Sequence, residues 1–166
     1  MTDTATNDLA TTSGQKRALV AIAISQLLVL TLWFSAAAVA PQLRGQWGLS
    51  VGESSWLTLA VQIGFVVGAF SIAVSGLADS VPARRLFTIA ALAGAVSNLA
   101  VIFVTADAVA VAYGLRFVTG MALAGAYPSG MKAMAGWFQK GRGMALGVLV
   151  GALTIGSAGP HLIRGI

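Results

Sequence analysis

No charged side chain stands between Arg17 and Arg44, between Glu53 and Asp79, or between Arg85 and Asp107. Each interval can hold a helix of about 20 residues, the length that crosses the hydrocarbon core of a bilayer. In hydrocarbon, every backbone N–H and C=O must find a partner inside the protein, so an uninterrupted apolar run of this length folds as a transmembrane helix. Composition agrees. The 166 residues are 57% hydrophobic and 9% charged, with a mean hydropathy of +0.86, whereas a soluble domain carries about 25% charged residues.

Five segments have the required character: 18–40, closed by Pro41; 56–78; 86–104, which carries Ser97 and Asn98; 108–131, which carries Arg116; and 143–163, which contains His161. The expectation is an all-α polytopic membrane protein with five transmembrane helices, joined by short linkers that favour antiparallel neighbours. Residues 1–17 are rich in Thr, Asp and Asn and read as a disordered tail ahead of a transmembrane unit at 18–166. The first apolar run is too long for a cleaved signal peptide and follows a long polar lead, so it is expected to stay as the first helix.

Basic residues give the orientation. Lys16, Arg17, Arg84, Arg85, Lys132, Lys140 and Arg142 fall on alternate linkers of one side, and only Arg44 and Arg164 on the other. By the positive-inside rule this puts the N terminus in the cytoplasm. The formal charge of +5 therefore reports topology and not a nucleic-acid partner. The membrane is expected to be a bacterial cytoplasmic membrane.

Several chemistries are excluded or disfavoured. The chain has no cysteine and one histidine, so disulfides, thiol chemistry and a histidine metal cluster are impossible within it. No acid pairs with a histidine or serine inside a span. No cofactor, no metal and no enzymatic activity are expected.

Three stretches carry more information than span length requires. "SGLADSVPARRLF" places Asp79, Arg84 and Arg85 in the turn between the second and third spans. An Asp at a helix end beside two Arg can pair in one arrangement and release in another; the alternative is a turn that only fixes orientation. "RFVTGMALAG", 116–125, sets Arg116 nine residues into the fourth span, near the midplane at about 1.5 Å per residue. A cation there costs at least ~2.5 kcal/mol on insertion scales and should face a cavity or partner. With no acid in any span, that partner is a backbone carbonyl, water, a bound anion or an acid from elsewhere. "GMALGVLVGALTIGSAGPHL", 143–162, repeats Gly143, Gly147 and Gly151, which lets another backbone approach. Gly156, Gly159 and Pro160 follow, and Pro160 should bend the helix. Gly120 falls on the same kind of packing position in the fourth span. Arg116, Gln26, Gln62 and Tyr127 are substrate or pathway candidates, with interhelical packing or hydrogen bonding as the alternative.

These stretches together resemble the N-terminal half of a major facilitator superfamily transporter. The family's turn between its second and third helices reads roughly Gly-x-Leu-Ala-Asp-Arg-x-Gly-Arg-Arg. Leu77, Ala78, Asp79, Arg84 and Arg85 match it, while Ser75, Ser80 and Pro82 depart from it. Arg116 and Gly120 match the family's Arg-x-x-x-Gly pattern in its fourth helix. Gly147 and Gly156 match the first interval of the antiporter signature in the fifth helix; the next interval is one residue short and no Gly-Gly pair follows. The resemblance implies a conformational latch at Asp79, Arg84 and Arg85. It implies about five of some twelve helices, and a solute site between two six-helix halves near the midplane. The expected function is that of an N-terminal fragment of a secondary active transporter moving a small solute by alternating access. Its partners are the lipid bilayer, a small-molecule or anionic substrate and the remaining C-terminal helices, with no nucleic acid. The alternative is a small membrane assembly protein or subunit acting through helix packing.

Overall fold

A computed structural model describes residues 13–138, 143–148, 150, 151 and 154. Among these the chain is helical and without strands. Four helices are long and apolar enough to cross a membrane: α1 (Ser13–Trp47), α2 (Val51–Ser75), α4 (Ala83–Ala100, continued by a 3-10 turn at Val101–Phe103) and α5 (Val109–Trp137). The short α3 (Leu77–Ser80) forms the turn between α2 and α4. Helical residues at 143–148 begin the fifth expected span, most of whose remainder lies outside the described residues.

Local chemistry moves several boundaries from their expected places. Helix α1 starts at Ser13 and runs through Pro41 to Trp47, although 1–17 reads as a tail and Pro41 as a stop. Near the end of a span, the carbonyl orphaned by proline lies where water or interfacial groups can serve it. Gly48 ends α1 instead, at φ +65°, and the Leu49 N–H bonds the Arg44 carbonyl at 3.1 Å, a Schellman closure. Helix α2 begins five residues earlier than hydropathy suggests because Ser50 and Glu53 form a capping box. The Ser50 hydroxyl accepts from the Glu53 N–H and the Glu53 carboxylate accepts from the Ser50 N–H, which satisfies two orphan donors.

The four long helices alternate in direction. Gln15 of α1 reaches the Trp137 carbonyl at the end of α5, and Lys132 of α5 reaches Ala78 of α3. At the opposite end, the Tyr113 hydroxyl donates to the Glu53 carbonyl at 2.9 Å. One end of the bundle therefore carries Asp79, Arg84, Arg85 and Lys132, and the other carries Glu53. Helix α5 is the central element and packs against α1, α2 and α4. A core of Val29, Val61, Ala90, Leu123 and Ala126 joins all four. Trp33 and Phe65 stack edge to face beside it with ring centroids 5.0 Å apart.

The outward faces are apolar. Ile89, Leu92, Val96, Leu99, Ile102 and Phe103 are exposed along α4, as are Val66, Phe70 and Val74 along α2. In water such surfaces would aggregate; in hydrocarbon they are ordinary. Length, hydropathy and this inside-out exposure make the chain an integral, all-α polytopic membrane protein.

Candidate functional site

Arg116 is 1% exposed and is the largest fully buried side chain among the described residues. Its Nε donates to the Leu57 carbonyl of α2 at 3.3 Å. Its Nη1 faces the Leu32 carbonyl at 3.0 Å, the Ser35 hydroxyl at 3.1 Å and Asn98 Oδ1. Its Nη2 donates to the Trp33 carbonyl at 3.0 Å. The Ser35 hydroxyl also donates to Asn98 Oδ1 at 2.9 Å. One guidinium group thus ties α5 to α1, α2 and α4, and every acceptor is neutral. Arg116 is donor-only, so Asn98 must turn its oxygen toward it.

The guanidinium lies toward the Glu53 end of the bundle. Leu57 lies only six residues into α2, about 9 Å along the helix at 1.5 Å per residue. Helix side chains lean toward their own N-terminus, and α5 starts at the Glu53 end, so the side chain reaches back toward that end. Residue count locates the Cα; the lean relocates the charge.

The α2–α5 seam explains how the cage closes. A Cβ on Gly64 would collide with the Phe117 carbonyl, and one on Gly120 with the Val61 carbonyl and, at 2.8 Å, the Phe65 nitrogen. A Cβ on Gly68 would lie 2.7 Å from Met121 Cα. The two backbones touch at three glycines, which brings the Leu57 carbonyl within reach of Arg116. Gly64 and Gly68, spaced by four on one helix face, are the pattern that small-residue membrane seams use. The same four-residue spacing occurs at 143–151. At Gly143, Gly147 and Gly151 a Cβ would meet nothing within 4 Å among the described residues, and Gly156, Gly159 and Pro160 lie outside the described residues.

At the other end of the seam, Gly76 adopts φ +63° and joins α2 to α3. It stands one position after Ser75, so a glycine does serve this turn, displaced by one from the family pattern. Asp79 follows and pairs with Lys132 of α5: Lys132 Nζ lies 3.5 Å from Asp79 Oδ1 and 2.8 Å from the Ala78 carbonyl. Arg84 and Arg85 open α4 beyond Pro82, are exposed, and make no ion pair among the described residues. Sequence reasoning placed Lys132 only among the orientation charges, because nothing in the sequence shows that residues 79 and 132 meet.

Gln26 is fully buried between α1 and α5. Its Nε2 donates to the Tyr127 carbonyl at 3.2 Å, while its Oε1 has no hydrogen-bond partner among the described residues and rests against Gly130. Gln62 is exposed on α2, and Tyr127 is half-buried. Gln26 and Tyr127 are therefore brought together, and Gln62 stands apart from both. No group of three or more His, Cys, Asp or Glu suited to a metal occurs among the described residues.

The described residues form a helical bundle with a buried arginine and a charged turn between its second and third spans. The profile of the Major Facilitator Superfamily matches residues 22–160, and the chain belongs to that superfamily. Comparison with curated proteins and with solved structures finds no match.

Proposed function

We propose that the chain forms the N-terminal part of a secondary active transporter that moves a small solute across a bacterial cytoplasmic membrane by alternating access, with its N terminus in the cytoplasm. The family match over 22–160 carries this reading. In this fold the solute site lies near the midplane between two halves, so these helices supply one wall of it and further helices supply the other. Asp79, with Arg84 and Arg85 nearby, acts as the conformational latch, and Gln26, Gln62 and Tyr127 are the residues of this half that line or border the pathway.

The solute is an organic or inorganic anion, or a neutral organic molecule. Arg116 supports this choice through its field and not through direct contact. Its charge is held among neutral acceptors with no acid beside it, so the interior of this half is net positive. In proteoliposomes of the complete transporter, uptake should be competed by anions such as nitrate or small carboxylates. Competition by organic cations and not by anions would overturn the assignment.

A further inference from the structure

The seam between α1 and α5 is apolar on both sides of one amide. Toward the Glu53 end it closes through Val29, Leu123 and Ala126. Toward the other end it closes through Leu19, Ile22, Met131 and Met134. Gln26 stands between the two clusters and is fully buried. Its Nε2 reaches the Tyr127 carbonyl at 3.2 Å, and its Oε1, lying against Gly130, accepts nothing among the described residues. Ser54, Ser97 and Thr119 are buried too, but their hydroxyls donate to carbonyls of their own helices. Around Gly130 the chain is helical, so its N–H groups are spent within α5 and none is left for Oε1.

A buried acceptor without a donor costs stability, and an apolar side chain at this position would continue the seam without that cost. We infer that Gln26 sets solute specificity: its Oε1 takes a hydrogen bond from a hydroxyl or N–H of the solute, once α1 has moved off Gly130. The inference rests on the transport reading proposed above and narrows its solute to an organic molecule carrying at least one such donor. Nitrate and similar anions, which have none, fit the site less well. The packing suits a parting of α1 from α5. At this level the two helices meet through one hydrogen bond and a glycine, against which a Cβ would collide with Oε1. Helix α2, in contrast, touches α5 backbone to backbone at Gly64, Gly68 and Gly120. Moving α1 breaks one bond to a carbonyl and frees an acceptor that gains a partner.

The test has two readouts on the complete transporter in detergent. The first is the thermal unfolding midpoint without solute. Gln26→Met keeps the volume and removes the unmet acceptor, so its midpoint should match the parent's or exceed it by about 2–4 °C. The second is binding of two probes with one carbon skeleton, lactate and propionate, read as the rise of that midpoint with probe concentration. The parent should bind lactate about three- to tenfold more tightly, the worth of one net hydrogen bond. Gln26→Met should bind both alike, at the parent's affinity for propionate. For the parent, 2-methoxypropionate, in which methyl replaces the hydroxyl proton, should bind no better than propionate.

A Gln26→Met midpoint several degrees below the parent's, or a variant that does not fold, would make Gln26 a packing residue kept for its bond to Tyr127 and would overturn the inference. A variant that keeps the lactate preference, or a parent without one, would overturn it as well. If neither probe raises the parent's midpoint, the anionic choice of solute falls and takes this inference with it. If both raise it equally, this inference alone falls and the anionic choice stands.

Discussion

Replacing Arg116 separates what its hydrogen bonds do from what its charge does. Four of its five N–H groups meet acceptors on three other helices. Interhelical bonds in membranes average about 0.6 kcal/mol, so the set is worth roughly 2.4 kcal/mol. Against this stands the cost of keeping a cation out of water, about 2.5 kcal/mol or more at a bilayer centre and less toward the Glu53 end, where this one lies. The two nearly cancel. Arg116→Met removes both together and leaves Ser35 bonded to Asn98, so its stability should stay within about 1 kcal/mol of the parent. Arg116→Lys keeps the charge and its cost of burial but loses the planar fork that reaches carbonyls on two helices at once, so the buried cation has fewer hydrogen bonds to offset that cost. The conservative change should therefore be the more harmful one. Thermal unfolding in detergent, followed by size-exclusion of the surviving protein, reads the order directly. A Lys variant as stable as the parent beside an unstable Met variant would refute the reasoning. Flux through the Met variant should fall despite normal folding, because the positive interior has gone.

Other positions give simpler tests. Gly120→Val should abolish the folded bundle, since its side chain would enter the Val61 carbonyl and backbone cannot yield as a side chain can; detergent extracts should show aggregated protein. Gly76→Ala puts a Cβ on a residue at φ +63° and should cost about 1–2 kcal/mol, lowering the unfolding midpoint without clashing with a neighbour. Ser50→Ala removes half of the capping box and should cost about 1 kcal/mol, seen as faster hydrogen exchange confined to the first turn of α2.

The spans were legible because a bilayer demands length and apolarity, and both can be counted along a chain. Arg116 was legible as an anomaly for the same reason, and Gly120 as a small residue on its face. Their surroundings were not. Asn98 stood out as a polar residue in the third span, but its pairing with Ser35 and Arg116 depends on how helices rotate against each other. Span periodicity does not give that rotation when every face is apolar. Lys132 was hidden differently: a lysine at a span end satisfies the orientation rule and needs no partner to account for it. The start of α2 was misplaced because hydropathy discounts Ser50 and Glu53, while capping chemistry selects them.

The unequal lengths of the helices carry a mechanical consequence. The third crossing, Ala83–Phe103, has 21 residues and α1 has 35, about 31 and 52 Å at 1.5 Å per residue. The hydrocarbon core is about 30 Å thick, so the third crossing fits it with almost nothing to spare, whereas α1 has length for tilt or for reaching past the headgroups. Among the described crossings a thicker bilayer would stretch the fit of this helix first, and it is joined to the charged turn through Pro82 and to Arg116 through Asn98. Acyl-chain length thus becomes an input to the bundle, transmitted by the shortest of the described crossings.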